Sequence, residues 1–307
     1  MTRPPAALAT TEQSDPRYRR IDRLPTEEIA RLMNAADSTV PAAVARAVPA
    51  ISAAIEDIAA RMRDGGRLLY VGAGTSGRLA VLDASECPPT FGTDPEVVRG
   101  IIAGGEGALT RSVEGAEDDA GAGAAAIREQ RVGPLDSVVG ISASGRAPFV
   151  VAAVAQARRL GALTAGLSCN GGGPLSEAAE HAIEVIVGPE VVTGSTRLKA
   201  GTAQKLVLNM ISTISMIKCG RTFGNYMIEV SASNAKLVDR AARIVADITG
   251  ADLAAARGAL AAAGHEVKTA VVMIARRLDA GEARLLLAAF DGRLDGALDS
   301  APDAPPA

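Results

Sequence analysis

The sequence RLLYVGAGTSGRLAVLDASE, residues 67–86, contains the pattern from which the architecture can be predicted. A short apolar run, 68–71, is joined to a second one, 79–82, by the glycine-rich segment 72–77. The first run is typical of a buried strand, and the second has the spacing of a helix. A turn of this kind presents backbone N–H groups to an anion, and the hydroxyls of Thr75 and Ser76 add donors. We therefore predict an anion-binding turn here.

The same glycines match the dinucleotide-binding pattern Gly-x-Gly-x-x-Gly at Gly72, Gly74 and Gly77. That pattern alone is weak, because a dinucleotide site also needs an acidic residue at the end of the next strand, about 20 residues on. The next apolar segment, 97–102, has no acid at its end, and the first one follows at Glu106. The Thr–Ser pair also suits a phosphate monoester better than a pyrophosphate. The pattern therefore favours a phosphate ester over a nicotinamide or flavin cofactor.

Composition excludes several classes of partner. The chain has 307 residues, of which 48% are hydrophobic and 22% charged, as in ordinary globular proteins. Its net charge is −3 and we find no basic stripe, so no nucleic acid partner is expected. Tryptophan is absent and aromatic residues make up 2%, so Ala, Val, Leu and Ile must form the core.

Cysteine and histidine usage argues against disulfides and metals. The three cysteines, Cys87, Cys169 and Cys219, form no disulfide framework, which suggests a reducing compartment. His181 and His265 lie far apart, so neither a histidine-based metal site nor a histidine-dependent triad is expected. The N-terminus lacks an apolar signal core, and no uninterrupted apolar stretch is long enough to span a bilayer. We expect a cytoplasmic protein without a membrane partner.

Beyond the first turn, strand-like and helical segments alternate. Strands are predicted at 67–72, 97–103, 137–142, 162–168 and 182–187. Helices are predicted at 76–85, 107–129 with a break near Glu117, 147–160, 174–181 and 196–218. This alternation predicts an α/β fold in three layers, with a parallel sheet covered by helices on both faces. Ligands of such sheets bind at the carboxyl ends of the strands.

Two further strand ends carry small polar residues. Residues 141–146, Ile-Ser-Ala-Ser-Gly-Arg, repeat the order strand, Ser/Gly turn, helix, and 167–171 offer a third polar turn. Such residues can serve only to satisfy the loop backbone. Two strand–Ser/Gly–helix turns in one sheet nevertheless favour a phosphate cradle. The predicted cradle residues are Gly74, Thr75, Ser76, Gly77, Ser142, Ser144 and Gly145.

The two ends of the chain differ from its centre. The first 20 or so residues are polar and expected to be mobile; a helix follows from Thr26, and Pro49 should kink or divide a longer one that starts at Val40. Past Gly224 the pattern predicts a small all-helical domain with Ala-rich helices at 233–248, 251–263, 266–277 and 280–290. The predicted organisation is N-terminal tail and helices 1–57, phosphate-binding domain 58–221, C-terminal helical domain 222–300 and disordered tail 301–307.

Five long blocks of this chain resemble a known family. They are VGAGTSGRLAVLDASECPPTFG (71–92), IAGGEGALTRSVEGAEDD (102–119), VVGISASGRAPFV (138–150), VGPEVVTGSTRLKAGTAQKLVLNMIST (187–213) and FGNYMIEVSASNAKL (223–237). The two Ser/Gly turns resemble the sugar isomerase (SIS) domain, which binds phosphosugars. The blocks as a whole are similar to the N-acetylmuramic acid 6-phosphate etherase family, over roughly residues 10 to 290.

The resemblance implies a lyase. Its reaction converts N-acetylmuramic acid 6-phosphate and water into N-acetylglucosamine 6-phosphate and D-lactate, in the recycling of peptidoglycan sugars. It implies a homodimer, no cofactor and no metal. It also implies that Glu86, in DASE, and Glu117, in EGAE, are the catalytic pair. Within this pair we predict that Glu86 is the acid and Glu117 the base.

Physical reasoning from the residues alone leaves alternatives open. Glu86 resembles a solvated acid at a helix end, and Glu114, Glu117 and Asp118 could share one solvated helix face. Lys199 is either a surface cation or a contact to the phosphate or the lactyl carboxylate. A non-catalytic phosphosugar sensor, of the kind represented by the glucokinase regulatory protein, and an aldose–ketose phosphosugar isomerase are the competing functions.

Overall fold

A computed structural model describes residues 9–229 and 235–300 and divides the chain into two compact units. The first contains Met1–Ser85 and Pro95–Ser215, and the second contains Glu86–Asp94 and Met216–Ala307. The units differ from the predicted domains, because 86–94 and 216–221 group with the second unit. The tail predicted to be disordered, 301–307, lies outside the described residues, as do the first eight residues.

A five-stranded parallel sheet forms the centre of the first unit. Its strands are β1 (Leu68–Gly72), β2 (Val98–Ile102), β3 (Ser137–Ser142), β4 (Leu163–Ser168) and β5 (His181–Glu184), in the spatial order β2-β1-β3-β4-β5. Every residue of β1, β3 and β4 is buried, as expected for a parallel sheet covered on both faces. The predicted strands are confirmed to within three residues. Gly72 pairs with both Ile102 and Ile141, so the carboxyl ends of three neighbouring strands are level.

Helices flank this sheet. They are α1 (Thr26–Asp37), α2 (Val40–Arg63), α3 (Gly74–Phe91), α4 (Ala120–Glu129), α5 (Pro148–Arg159), α6 (Pro174–Ala178) and α7 (Lys199–Lys218). Helix α5 packs on β1, β3 and β4, and α2 packs on β4 and β5. Helix α4 packs closely on α5, since a Cβ atom built on Gly123 would lie 2.0 Å from the carbonyl oxygen of Phe149. Only a glycine allows the two helices to approach this closely.

The N-terminal segment is more ordered than the sequence predicts. Three short 3₁₀ turns, Thr10–Glu12, Pro16–Tyr18 and Ile21–Arg23, precede α1. Tyr18 is buried with Ala36 and Val191 in a small apolar cluster. The expectation of a mobile tail is therefore wrong for the residues from Thr10 onward, because this cluster and the hydrogen bonds described below hold the segment on the first unit.

Two helix predictions are corrected by the structure, and the prediction for Pro49 is narrowed. Helix α3 continues through Pro88 to Phe91, so Glu86 does not stand at a helix end. Pro49 lies inside α2 and does not divide it, so the kink stays a prediction. Residues 107–129 do not form one interrupted helix: a 3₁₀ turn, Glu106–Leu109, is followed by turns up to α4.

The acidic residues before α4 were predicted to lie on a helix, and the structure places them in turns. Glu114, Glu117 and Asp118 lie in turns and share no helix face. Gly115, with a φ of 73°, takes a left-handed conformation that interrupts the helix. The i, i+3 and i+4 spacing of these acids therefore does not place their side chains on one face of a helix.

The second unit is helical, as predicted. Its helices are α8 (Ala235–Thr249), α9 (Leu253–Ala262), α10 (Val267–Arg276), α11 (Ala280–Ala289) and α12 (Leu294–Asp299), and a two-stranded hairpin, β6 (Thr222–Phe223) and β7 (Tyr226–Met227), precedes them. The four predicted helices are confirmed, whereas the six-residue α12 was not predicted. Its core contains mainly Ala, Val, Leu and Ile, as the scarcity of aromatic residues requires.

A cavity of about 620 Å³ lies in the second unit. Its wall carries two ion pairs, one from Lys268 to Glu229 (2.6 Å) and one from Arg284 to Glu266 (2.8 Å). The hydrogen bond from Arg284, together with one from the Thr269 hydroxyl, outweighs burial and lowers the pKa of Glu266. The four charged side chains of these two ion pairs therefore neutralise one another within the cavity wall.

One helical stretch, Thr26–Arg63, is long and apolar enough to cross a membrane by length and composition. Arg46 and Glu56 interrupt this stretch, so it is not an uninterrupted apolar run of the kind predicted to be absent. Ile51, Ile55 and Ile58 are fully or almost fully buried in the first unit. A core helix of a globular protein passes the same test.

Candidate active site

The first Ser/Gly turn leads from β1 directly into α3. Gly74 begins the helix with a φ of 53°, and Ser76 in its first turn is 7% exposed. A Cβ atom on Gly72 would lie 2.6 Å from the backbone nitrogen of Gly77, and one on Gly77 would lie 2.5 Å from a side-chain carbon of Ile102. These glycines therefore allow the start of the helix to lie against the end of the strand.

The second Ser/Gly turn follows β3 and is held by its own hydroxyls. The backbone N–H of Gly145 donates to Ser142 Oγ (3.1 Å), and that of Arg146 donates to Ser144 Oγ (3.2 Å). The two serine hydroxyl oxygens are 3.3 Å apart. Gly145, with a φ of 71°, reverses the chain toward α5. Because β1 and β3 are neighbours in the sheet, this turn lies beside the first one.

Both turns line one cleft of about 360 Å³. It is lined by Glu12, Ala73, Gly74, Thr75, Ser76, Glu117, Ile141, Ser142, Ala143, Ser144, Ala147 and Thr196. The structure thus brings together six of the predicted site residues, namely Gly74, Thr75, Ser76, Ser142, Ser144 and Glu117. Gly77 and Gly145 shape the turns without lining the cleft. Hydroxyl groups, backbone donors and carboxylates in one small cleft suit a phosphorylated, hydroxyl-bearing ligand.

Glu117 belongs to the turns that precede α4. Its carbonyl oxygen accepts a hydrogen bond from the backbone N–H of Phe149 (3.0 Å), which fixes this turn to the start of α5. Its side chain is exposed along the cleft. Asp119 caps α4 by accepting from the backbone N–H of Ala122 (2.8 Å). Glu117 therefore presents an exposed carboxylate from a firmly held backbone.

Glu86 belongs to the second compact unit. It lies on α3, its side chain is exposed, and it is the first residue of the segment that groups with that unit. The neighbouring Cys87 is buried, with 2% of its surface exposed.

Lys199 does not line the cleft. Its side chain is 5% exposed, and Nζ donates to the carbonyl oxygen of Val187 (2.8 Å). Burial lowers the pKa of Lys199, against an opposing effect of Glu190. Glu190 is fully buried and accepts from the backbone N–H groups of Lys199 (3.0 Å) and Ala200 (2.9 Å), so it caps the start of α7. Anion binding by Lys199 stays a prediction.

Helix α7 supplies a partner that sequence reasoning missed. Ser76 Oγ donates to Gln204 Oε1 (3.0 Å), and Gln204 is 1% exposed. Within the described part of the chain, Nε2 of Gln204 has no hydrogen-bond partner. Ser76 must therefore turn its hydroxyl away from Gln204 before it can donate to a ligand.

The third polar turn, after β4, bridges two other parts of the first unit. Asn170 Nδ2 donates to the carbonyl oxygen of Ala143 and to Thr11 Oγ1, both at 2.9 Å. Its Oδ1 accepts from the hydroxyl of Thr10 (2.8 Å) and from the backbone N–H of Thr11 (3.3 Å). The N-terminal segment thereby brings Glu12 into the cleft. No local sequence pattern indicated Glu12, Thr196 or Gln204.

No group of three His, Cys, Asp or Glu side chains suited to a metal ion occurs in residues 9–229 and 235–300. Burial raises the pKa of the Cys169 thiol, near the second turn, to about 12. That thiol is therefore not a nucleophile at neutral pH.

Comparison with known proteins identifies the family. Residues 50–158 match the model of the glucokinase regulatory protein N-terminal SIS domain, and residues 120–214 match that of the SIS domain. An N-acetylmuramic acid 6-phosphate etherase from Streptomyces avermitilis is 57% identical over 293 residues, which cover 95% of this chain and 94% of that protein. The chain belongs to the N-acetylmuramic acid 6-phosphate etherase family.

Other members of the etherase family are similar over almost the same length. The one from Rubrobacter xylanophilus is 55% identical over 279 residues, covering 91% of this chain and 93% of that protein. The one from Cutibacterium acnes is 51% identical over 292 residues, covering 95% and 96%. The sheet and its flanking helices thus form the SIS fold, and the second unit is helical, as the sequence predicted.

Proposed function

We propose that this chain cleaves the D-lactyl ether of N-acetylmuramic acid 6-phosphate with water, giving N-acetylglucosamine 6-phosphate and D-lactate. The observation that carries the proposal is the cleft, in which two Ser/Gly turns and Glu117 face one cavity. The near full-length similarity to etherases supports the choice of substrate. The phosphate is the handle by which the sugar is oriented, so its binding energy contributes to the reaction at carbons 2 and 3.

The chemistry requires an acid and a base. An ether is unreactive because its alkoxide leaves poorly, but an opened sugar has an aldehyde at carbon 1 that acidifies the proton on carbon 2. Glu117 takes that proton, the carbon 3–oxygen bond breaks with its electron pair going to the lactate oxygen, and Glu86 protonates that oxygen. Water then adds to the carbon 2–carbon 3 double bond, its hydroxyl at carbon 3 and a proton at carbon 2.

The acid and base roles require opposite protonation states of the two carboxyl groups. Glu117 must be ionised to accept a proton, and Glu86 must be protonated to donate one. Pairs of carboxylic acids in different environments work in this way in other enzymes. We assign the base to Glu117 because it lies in the phosphate-binding cleft, and the acid to Glu86 because of its position in the family motif.

The proposal is tested with N-acetylmuramic acid 6-phosphate, a lactate assay and reaction in heavy water. The wild type should release lactate and place deuterium on carbon 2 of the product. Glu86→Gln should stop lactate release while carbon 2 of bound substrate still exchanges slowly, and Glu117→Gln should abolish the exchange. Each variant should lose at least about a hundredfold in rate, the low end for general acid–base catalysis. Glu114→Gln, in the same turns as Glu117, is the matched control and should keep full activity.

Other outcomes would assign other functions. Exchange that survives in Glu117→Gln and disappears in Glu86→Gln would reverse the two roles. Binding of the substrate without release of lactate would indicate a sensor, and a ketose product would indicate an isomerase. Unphosphorylated N-acetylmuramic acid should be a very poor substrate, and equal turnover of the two sugars would contradict the phosphate cradle.

We further propose that the protein acts in the cytoplasm as a homodimer, in the recycling of peptidoglycan sugars. The similarity to etherases and the odd number of scattered cysteines support this setting. Light scattering of the purified protein should give twice the mass of one chain. A mass of 31.1 kDa at micromolar concentration would contradict the dimer.

A further inference from the structure

The N-terminal segment contributes a carboxylate to the cleft, and the reaction proposed above does not use it. Glu12 lines the same cavity as both Ser/Gly turns and Glu117. Its carboxylate lies over the loop that precedes α7, since a Cβ atom on Gly194 would be 3.4 Å from Glu12 Oε2. Within the described residues, no hydrogen-bond donor or cation is paired with this carboxylate.

The position of Glu12 is set by contacts on both sides of it. Thr11 is fully buried, and the Asn170 amide binds both its hydroxyl and its backbone N–H. The backbone N–H of Glu12 donates to the carbonyl oxygen of Ala9 (2.9 Å), which closes the 3₁₀ turn. On the other side, Tyr18 is buried against α1. A carboxylate on such a backbone is held at the cleft.

The negative charge of the Glu12 carboxylate determines which groups of a ligand it can bind. A phosphate dianion is repelled by a carboxylate and is bound instead by N–H and O–H donors, which the two Ser/Gly turns supply. The only favourable partners of an ionised carboxylate that a phosphosugar offers are its O–H and N–H donors. Glu117 is assigned to the carbon 2 proton, so Glu12 is left for the hydroxyl groups.

We propose that Glu12 binds sugar hydroxyl groups and so makes the cleft selective for phosphosugars over other phosphate monoesters. This rests on the proposed function for the identity of the sugar. The Thr11–Asn170 contact is the positioning element, and Asn170 also binds Ala143 in the second Ser/Gly turn. One amide therefore holds both the phosphate turn and the hydroxyl-binding carboxylate.

The test compares three ligands by calorimetry: N-acetylglucosamine 6-phosphate, ethyl phosphate and inorganic phosphate. Glu12→Gln and Glu12→Ala should raise the Kd of the sugar phosphate about tenfold to a hundredfold, as expected when hydrogen bonds to a charged group are lost. Both variants should bind ethyl phosphate and inorganic phosphate as well as the wild type or a few fold more tightly, because a negative charge has been removed. Glu28→Gln, an exposed acid on α1, is the matched control and should leave all three Kd values unchanged.

The comparison separates this inference from the proposed function. An equal loss for all three ligands would show that Glu12 only supports the folded cleft, and no change for the sugar phosphate would show that Glu12 does not contact it; either result overturns the inference. Phosphate binding serves as the internal check that each variant is folded. If the wild type bound none of the three ligands, the assignment of the cleft itself would fail.

Discussion

The Ser144 hydroxyl lies in the cleft and is predicted to donate a hydrogen bond to the phosphate of the ligand. Ser144→Ala should raise the Kd of N-acetylglucosamine 6-phosphate about tenfold to a hundredfold, because a hydrogen bond to a charged group is worth roughly 1.5–3 kcal/mol. Titration calorimetry measures the change. Ser85→Ala is the control, since the Ser85 hydroxyl donates to the carbonyl oxygen of Leu82 inside α3 (2.8 Å). An unchanged Kd in Ser144→Ala would remove this serine from the cradle.

Sequence reasoning found the residues of the cleft that lie in local motifs and missed those that the fold brings in from afar. Ser76 and Ser144 follow strand ends, where a glycine-rich turn and a helix start are visible in a few residues. Gln204 and Glu12 carry no such pattern, because their partners are distant in sequence: Ser76 lies 128 residues from Gln204, and Thr11 lies 159 residues from Asn170. Contacts at such separations depend on the whole topology.

At the scale of elements, the amino ends of β1 and β3 are joined by an ion pair. Arg67 donates to both carboxylate oxygens of Asp136 through its backbone N–H, Nε and Nη2, with Nη2 2.7 Å from Oδ2, and Gly133 N–H adds a fourth donor at 2.9 Å. Burial alone would raise the pKa of Asp136, but these hydrogen bonds outweigh it and lower the pKa below its ordinary value. The ionised carboxylate therefore stabilises the fold.

Asp136→Asn should reduce the free energy of unfolding by about 1.5–3 kcal/mol at neutral pH. A lowered pKa stabilises the fold above the unfolded-state value and loses that effect as pH falls through the folded-state value, so the difference from wild type should shrink below about pH 4. Urea unfolding at neutral and acidic pH measures it. Glu27→Gln, in the exposed pair with Arg31, should cost less than about 0.5 kcal/mol at either pH. A difference that grows on acidification would contradict this account.

Two glycines in helices should respond in opposite directions to the same substitution. Gly123→Ala in α4 places a methyl group 2.0 Å from a carbonyl oxygen of α5, so the helices must separate; we expect a loss of at least about 2 kcal/mol in stability. Gly258→Ala in α9 meets nothing within 4 Å and should gain about 0.5–1 kcal/mol from helix propensity. Thermal unfolding of both variants measures these changes. Equal effects would mean that α4 does not pack on α5 as described.

The sheet was predictable because buried parallel strands are short apolar runs between glycine and polar turns. The helices were predictable where periodicity was uninterrupted. Helix α3 extends past its predicted end at residue 85 to Phe91, and the buried side chains of Cys87 and Phe91 stabilise the added residues. The region before α4 was predicted as helix because its alanines and acids have helical spacing, while Gly115 dictates a turn.

At the scale of the whole molecule, the net charge of −3 predicts no affinity for DNA. Nonspecific binding to a duplex depends on cations that displace its counterions, and this chain has fewer Lys and Arg (32) than Asp and Glu (35). A fluorescent duplex should show no change in anisotropy at physiological salt, about 0.15 M, with micromolar protein. Sequence-specific binding at that salt would favour a transcriptional regulator over an enzyme.

The Asn170 bridge has a consequence for biosynthesis. Thr10 leaves the ribosome long before Asn170, 160 residues later, has been made. A nascent chain that stops short of Asn170 already contains the first Ser/Gly turn, yet it has neither the bridge that holds Glu12 nor Gln204. Closing so long a loop adds little to the entropic cost, since each doubling of length adds only about 0.6 kcal/mol. The delay is set by translation itself, and a ribosome-bound chain acquires its complete cleft only after Gln204 has been made.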